Sequence, residues 1–129
     1  MNMRPEYLLT IALVIFFSFV SCNKKHPVLE LSQNAIDLGI VGLNDTINRT
    51  VYIKNIGNED LKILRLESSC GCTVAVLQDS IIVPKDSVSF ELEIVPDNKG
   101  AFERSVVVRS NDAKIFHVLD IGAYVEENN

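Results

Sequence analysis

A strict alternation of apolar and polar residues between Ser87 and Val95 is the feature that most restricts the fold of this chain. The apolar residues fall on one face and the polar residues on the other, in the order Val88, Phe90, Leu92 and Ile94 against Ser89, Glu91 and Glu93. A helix would spread these residues around its circumference, whereas a strand sends alternate side chains to opposite faces. The segment is therefore predicted to be a β-strand with one buried face and one solvated face.

Turn signals recur along the chain from Pro27 onward, at intervals of about 8 to 12 residues, which is typical of a β-sandwich. The segments between them predict further strands over Val28–Leu31, Ala35–Val41, Thr46–Lys54, Leu61–Leu66, Arg104–Arg109 and Ile115–Val125. Leu61–Leu66, in which four of the six residues are apolar, predicts a strand that is buried on both sides or lies near the centre of its sheet. We expect an all-β, immunoglobulin-like sandwich of two sheets and about seven or eight strands, with an open barrel as the alternative.

The N-terminal residues 1–21 are predicted to be a lipoprotein signal peptide that precedes this sandwich. Leu8 to Val20 is nearly continuous apolar sequence, long enough for the core of a secretory signal and too short for a permanent transmembrane helix. Phe19-Val20-Ser21-Cys22 resembles a bacterial lipobox, in which the cysteine becomes the lipid-modified N-terminus. We therefore predict lipidation at Cys22; ordinary secretion with a free thiol there is the alternative.

The sequence divides into a signal peptide, a tether, a sandwich and a tail, and it indicates where the protein is located. Residues 22–27 form a short tether, 28–125 the sandwich and 126–129 an acidic tail. The formal net charge of −5 and the lack of a basic run leave no electrostatic case for nucleic-acid binding. The segment after Cys22 also lacks the acidic residues that mark surface export in some bacterial lipoproteins. We expect an exported bacterial lipoprotein, anchored in a membrane and facing the periplasm.

Several short motifs resemble those of a known family. They are Asp37-Leu38-Gly39, Asn55-Ile56-Gly57, Leu61-Lys62-Ile63, Ser69-Cys70-Gly71-Cys72-Thr73, Pro84 and Ser110-Asn111. With them, the chain from about Asp37 to Val125 resembles the bacterial domain of unknown function 1573. These are exported immunoglobulin-like domains related in fold to the ASPM/SPD-2/Hydin and major sperm protein group. The family often has Gly after the proline, where this chain has Lys85. The resemblance implies the fold and implies no mechanism.

Cys70 and Cys72 flank Gly71, and lipidation of Cys22 would leave them as each other's only covalent partners in the chain. We interpret them first as structural, either packed thiols or a local disulfide at a strand corner. A disulfide over so short a loop needs a bend at Gly71 and removes little chain entropy.

Three chemical alternatives stay open for this cysteine pair. It could exchange disulfides, bind a soft metal such as Cu(I), or supply the nucleophile of a Cys–His hydrolase. A structural zinc site would want four ligands, and the histidines of the chain are His26 and His117. His117 shares a predicted strand face with Leu119 and Ile121, which is typical of a core histidine. We assign no catalytic residue, no metal ligand and no cofactor.

Three Asp-Ser/Thr-apolar triplets resemble the triplets that are O-glycosylated in some exported bacterial proteins. They suggest O-glycosylation at Thr46, Ser80 and Ser87. The simpler interpretation is an aspartate in a turn, followed by a hydroxyl residue and the first apolar residue of a strand.

The function predicted from sequence is a lipid-anchored cell-envelope domain that binds or assembles proteins without catalysis. Its expected partners are the membrane, through the lipid, and a protein of unknown identity that could add an extended strand to a sandwich edge. The alternative is a small redox or copper-handling lipoprotein that uses Cys70-Gly71-Cys72.

Overall fold

The computed structural model describes residues 4–17, 23–71 and 73–128. Its helix α1 spans Pro5–Phe17, and the apolar side chains described for it, such as Leu9, are exposed and lie outside the core. No helix in these ranges is long and apolar enough to cross a membrane. The lipobox-like segment and Cys22 lie outside the described residues, so the signal peptide and the lipidation stay predictions.

Nine strands make up the rest of the described fold. They are β1 Leu29–Leu31, β2 Ala35–Gly42, β3 Ile47–Asn55, β4 Leu61–Ser68, β5 Thr73–Leu77, β6 Ile81–Ile82, β7 Ser87–Ile94, β8 Gly100–Ser110 and β9 Phe116–Glu126. One sheet has the order β1-β3-β7-β5 and the other the order β2-β9-β8-β4-β6. Neighbouring strands are antiparallel except β2 and β9, which are parallel. The predicted two-sheet immunoglobulin-like sandwich is confirmed.

The core lies between the inward faces of the two sheets and consists of aliphatic side chains with two phenylalanines. The alternation that predicted β7 is observed directly: Phe90, Leu92 and Ile94 are buried, and Glu91 and Glu93 are exposed. The final strand likewise buries His117, Leu119, Ile121 and Val125 on one face. Burial of each large aliphatic side chain contributes about 1.5–3 kcal/mol, so these alternating faces supply most of the drive for the sheets to pack.

Of the two alternatives predicted for Leu61–Leu66, burial on both sides is wrong, whereas a position inside the sheet is observed, since β4 lies between β8 and β6. Leu61 and Ile63 are buried, whereas the side chain of Leu64 is 56% exposed. The register between β4 and β8 shifts between Ile63 and Arg65. A bulge of this kind adds a residue to one strand and changes the face on which the following side chains lie. The shift brings Leu66 opposite Val108 and against the core, so the apolar residues of this segment reflect the irregular register and not two-sided burial.

Two strands were missed, and one is longer than expected. β5 and β6 occupy a region to which the sequence pattern assigned no strand, and β8 begins at Gly100 where Arg104 was predicted. Gly100 has a φ of +95°, a conformation that glycine adopts without steric penalty. The residue that looked like the end of a turn therefore starts the strand.

The side chain of Asn55 is fully buried and connects four backbone groups from different parts of the chain. Its amide Nδ2 donates to the carbonyl oxygens of Glu59, at 2.6 Å, and Ile82, at 2.9 Å. Its Oδ1 accepts from the backbone N of Gly57, at 3.0 Å, and of Val28, at 3.5 Å. Asn55 thus joins the end of β3 to the segment before β1 and to β6.

Gly57 and Lys85 explain two details of the predicted turns. A Cβ atom on Gly57 would collide with the backbone of His26, Pro27 and Val28, so this turn requires glycine. Lys85, at the position where the family often has Gly, has a φ of +69°. The turn therefore keeps the left-handed conformation that glycine favours, and Lys85 carries its steric cost.

Replacing Asn55 by Ala is expected to lower the free energy of unfolding by at least about 1–3 kcal/mol, because buried backbone groups lose their hydrogen-bond partners. Chemical denaturation followed by circular dichroism measures this change. Asn48→Ala, on the exposed part of the same strand, is the control and should stay within about 0.5 kcal/mol of the unmodified protein. Equal effects of the two substitutions would contradict the role assigned to Asn55.

Candidate functional site: the cysteine corner and the edge strand

Residues 68–72, which we call the cysteine corner, connect the two sheets at one end of the sandwich. The corner begins at the last residue of β4, in the five-stranded sheet, and is followed by β5, in the four-stranded sheet. Ser69 fastens it to β8: its backbone N donates to the carbonyl oxygen of Ser105 at 2.9 Å, and its Oγ accepts from the backbone N of Ser105 at 3.0 Å. The chain is thus held at Ser69 just before it changes sheets.

Cys70 lies beside a guanidinium group. Nε of Arg104 donates to Sγ of Cys70 at 3.1 Å, and the backbone N of Cys70 donates to Oγ of Ser68 at 3.3 Å. The Arg104 side chain is 27% exposed, and its Cζ lies 4.7 Å from the ring centroid of Phe102. Arg104 was not singled out in the sequence, since it belongs to a different strand and its proximity to Cys70 comes from the fold.

Cys72 lies outside the described residues, so its pairing with Cys70 stays a prediction.

His117 is buried on β9, where its Nε2 lies 3.3 Å from Oδ2 of Asp112. The same carboxylate oxygen accepts from the backbone N of Leu29 at 3.0 Å. The contacts described for His117 therefore join it to Asp112 and the start of β1. In the ranges covered by the structure, no three His, Cys, Asp or Glu residues are grouped as metal ligands.

β5 begins immediately after the cysteine corner and is an edge strand of its sheet. It pairs with β7 in continuous register from Thr73 opposite Ile94 to Leu77 opposite Phe90. The side chain of Val76 is 59% exposed, while Ala75 and Leu77 are partly buried and pack against the core. The sequence Thr-Val-Ala-Val-Leu contains no charge, proline or glycine. β-branched and aliphatic residues of this kind are a strand signal that the interpretation of the sequence passed over.

The other edge strands of the described sandwich offer less regular pairing surfaces. β1 has three residues and β6 has two. β2 is longer, but its register shifts between Asp37 and Ile40, and Gly39 within it has a φ of +68°. Proteins protect sheet edges from pairing by short strands, bulges, charges and proline. Among the described strands, β5 combines five residues with a regular register and none of these protections.

Thr73, the first residue of β5, is 3% exposed, and its Oγ1 has no hydrogen-bond partner among the described residues. Buried hydroxyl groups are normally satisfied. This hydroxyl therefore lowers the stability of the fold next to the cysteine corner.

A cleft of about 660 Å³ lies beside the corner on the outer face of the five-stranded sheet. Ser69 and Arg104 line it on one side, together with the carboxylate residues Asp37, Glu103 and Asp120. Gly122 lies between Asp37 and Glu103 in the register of three adjacent strands, and its missing side chain deepens the cleft. The lining thus combines three carboxylates with one guanidinium group, and the cysteine corner contributes Ser69 to it.

The three hydroxyl residues suggested for O-glycosylation are all exposed: Thr46 before β3, Ser80 before β6 and Ser87 at the start of β7. The aspartates before them make local turn contacts. Oδ1 of Asp79 accepts from the backbone N of Ile81 at 3.1 Å, and Oδ1 of Asp86 accepts from that of Ser87 at 2.8 Å. These contacts match the turn interpretation, and glycosylation stays a prediction.

Comparison with known proteins confirms the resemblance found in the sequence. The family model described as "Protein of unknown function (DUF1573)" matches residues 29–125. No curated protein matches the sequence.

Solved structures show the same fold at low sequence identity. A protein of unknown function from Porphyromonas gingivalis W83 has a TM-score of 0.69 at 17% identity, and the match covers 81% of this chain and 50% of that one. This chain therefore spans about half the length of that protein. The ASH/PapD-like domain 7 of human CEP192 has a TM-score of 0.61 at 12% identity, with 81% and 89% covered. WR4, a C. elegans MSP family member, has a TM-score of 0.52 at 9% identity, with 78% and 100% covered.

Thr73→Val is expected to raise the free energy of unfolding by about 1 kcal/mol, because it replaces an unsatisfied buried hydroxyl by a methyl group of similar shape. Denaturant titration of the purified protein measures the change. Thr73→Ser keeps the hydroxyl and removes a methyl group, so it should destabilise by about 0.5–1.5 kcal/mol. A destabilised Thr73→Val variant would show that the hydroxyl has a partner in solution.

Proposed function

We propose that this chain, which belongs to the DUF1573 family, is a non-catalytic binding or assembly module of the bacterial cell envelope. In this proposal it binds an extended segment of a partner protein at the edge of β5. The observation that carries this proposal is the regular, uncharged edge of Thr73–Leu77 with its exposed Val76. An added strand completes the main-chain hydrogen bonds of such an edge, while alternate side chains provide specificity.

The position of β5 supports this mode of binding. Its other side is held by β7, which is itself paired with β3 over eight residues. The edge is therefore backed by two further strands and does not have to form when the partner arrives. A preorganised edge loses less conformational entropy on binding than a segment that folds at that moment.

We propose further that the domain is held at a membrane by a lipid on Cys22 and faces the periplasm. The apolar Leu8–Val20 and the lipobox-like segment that ends at Cys22 support this part of the proposal. A tether of a few residues, 22–27, would then place the sandwich close to the membrane surface.

One observation favours a second candidate function, disulfide exchange at the cysteine corner. The 3.1 Å contact from Nε of Arg104 to Sγ of Cys70 would stabilise a thiolate at that sulfur, as an attacking or leaving group requires. In this alternative, Cys70 and Cys72 would exchange electrons with a dithiol or disulfide of a partner protein.

Val76→Lys is expected to abolish capture of a protein partner from solubilised envelope membranes, because lysine is a residue with which proteins protect sheet edges from pairing. Quantitative mass spectrometry of the captured proteins measures the loss. Val118→Lys is the matched control, since Val118 is exposed on the outer face of the other sheet and is 44% accessible. Loss of the partner with both variants, or with neither, would contradict binding at β5.

A double variant, Cys70→Ser with Cys72→Ser, distinguishes the two candidate functions. A binding module keeps the partner that Val76→Lys loses, whereas an exchange protein loses its activity towards a model disulfide. Retained disulfide reduction in the double variant would exclude the cysteine corner as its source.

Cys22→Ser is expected to move the protein from the membrane fraction to the soluble envelope fraction, because a lipid anchor contributes about 0.8 kcal/mol for each buried methylene group. Immunoblotting of the fractions measures the shift, and intact-mass spectrometry of the unmodified protein should show the acyl chains. A Cys22→Ser protein that stays in the membrane fraction would contradict the anchor.

A further inference from the structure

Carboxylates line the outer face of the sheet directly beside the β5 edge. In the register of the two strands, Glu91 lies opposite Val76 and Glu93 lies opposite Val74. Both glutamates are exposed, and among the described residues neither belongs to an ion pair. Oγ1 of Thr50, on β3, contacts both carboxylate oxygens of Glu91, at 3.0 and 2.9 Å, which holds this group over the sheet. Only β5 itself would therefore separate an added strand from these two carboxylates.

A groove of about 330 Å³ continues from the end of β5 along the same side of the sandwich. Gln78 and Asp79 line it from the segment after β5, Asp86 lines it from the turn before β7, and Tyr52 contributes an aromatic wall from β3. The turn contacts of Asp79 and Asp86 are each described for one carboxylate oxygen, Oδ1. The groove thus combines two carboxylates with an aromatic ring, and both attract a cationic side chain.

We propose that the segment bound at β5 is basic, with Lys or Arg at alternate positions on its outward side and apolar residues at the positions between. This inference rests on the proposed function, since it names the chemistry of the partner for the same edge. Outward side chains of the added strand would start about two strand spacings, roughly 10 Å, from the backbone of Glu91. A Lys or Arg there can lay its methylene stem across Val76 and bring its charge to the carboxylate, which is how these side chains cover apolar surface. The inward positions would extend the row of Ala75 and Leu77, which face the core.

A second copy of this chain fits the edge less well. Antiparallel pairing of two β5 strands about Ala75 would place Val76 of one copy opposite Val74 of the other. These apolar residues would bring no cation near Glu91 or Glu93. Each copy has a formal net charge of −5. Two five-residue strands also supply only a small part of the roughly 800 Å² per partner that a stable interface buries.

The test uses the full-length protein in detergent and three seven-residue peptides, which alternate Val with Lys, Val with Ser or Val with Glu. We expect the Val-Lys peptide to bind about 2- to 30-fold more tightly than the Val-Ser peptide at physiological salt, as two exposed ion pairs would give. The Val-Glu peptide should bind most weakly, and the advantage of the Val-Lys peptide should shrink in high salt. Calorimetry measures the affinities, and amide hydrogen exchange over residues 73–77 locates the bound strand.

Two controls separate charge from strand pairing. Glu91→Gln with Glu93→Gln should remove the advantage of the Val-Lys peptide, because Gln keeps the shape and the hydrogen-bond acceptor and loses the charge. Glu103→Gln with Asp120→Asn removes two carboxylates from the other sheet and should leave that advantage intact. A Val-Lys peptide N-methylated at every backbone amide has the same side-chain charges and no amide N–H left to donate to β5, so it should lose most of its affinity.

The results distinguish failure of this inference from failure of the proposed function. Equal affinities for the Val-Lys and Val-Ser peptides, with protection of residues 73–77, would overturn the basic specificity and leave strand addition standing. Absence of protection at residues 73–77 with every peptide would overturn both. A protein dimer that Val76→Lys converts to a monomer would show that a second copy occupies the edge, and would also overturn the inference.

Discussion

The buried side chain of Asn55 is the polar interaction on which this sandwich most depends. Two sheets of alternating strands can pack through any matching pair of apolar faces, and hydrophobic burial alone does not choose one arrangement of the connecting segments. Asn55 restricts that choice, because its amide satisfies backbone groups of Glu59 and Ile82 while its oxygen accepts from Gly57 and Val28. A buried amide with unsatisfied partners is costly, so other arrangements of these segments are penalised.

The cysteine corner lies at the opposite end of the sandwich. Asn55 is the last residue of β3, whereas Ile47, the first, lies in one register row with Ile94 and Thr73. One end is closed by a satisfied buried amide. The other contains an unpartnered hydroxyl among the described residues, a cysteine beside an arginine, and the start of an open edge. The cysteine corner and the start of the β5 edge thus lie at the end of the sandwich opposite the buried amide of Asn55.

This arrangement connects the two candidate functions physically. The cysteine corner immediately precedes β5, the strand whose edge carries the proposed binding function. Ser69 and Arg104 connect the corner to β8, and β7 fixes the remainder of β5. The carboxylates of Glu91 and Glu93, and those of the groove after β5, place negative charge beside an edge strand that is itself uncharged.

The comparison of sequence with structure shows where local patterns suffice. The alternation over Ser87–Ile94 correctly predicted a half-buried strand, and the motif around Asn55-Ile56-Gly57 correctly marked a turn. The apolar run at Leu61–Leu66 was misinterpreted: Leu64 is exposed next to the buried Ile63, and the register shift that places Leu66 opposite Val108 depends on the partner strand. Residues 73–77 were missed as a strand, although their β-branched composition carried the signal.

By itself the sequence determined the class of fold, since the period-two alternation and the spacing of turn residues depend only on neighbouring positions along the chain. It also predicted the family and which cysteines could act together. Only the tertiary structure decided which strand lies at an edge, that Arg104 reaches Cys70, and that Glu91 and Glu93 lie beside Val76 and Val74. The physical reason is that sheet order and register arise from pairing between distant segments, and a local pattern specifies the face of a side chain but not its neighbours.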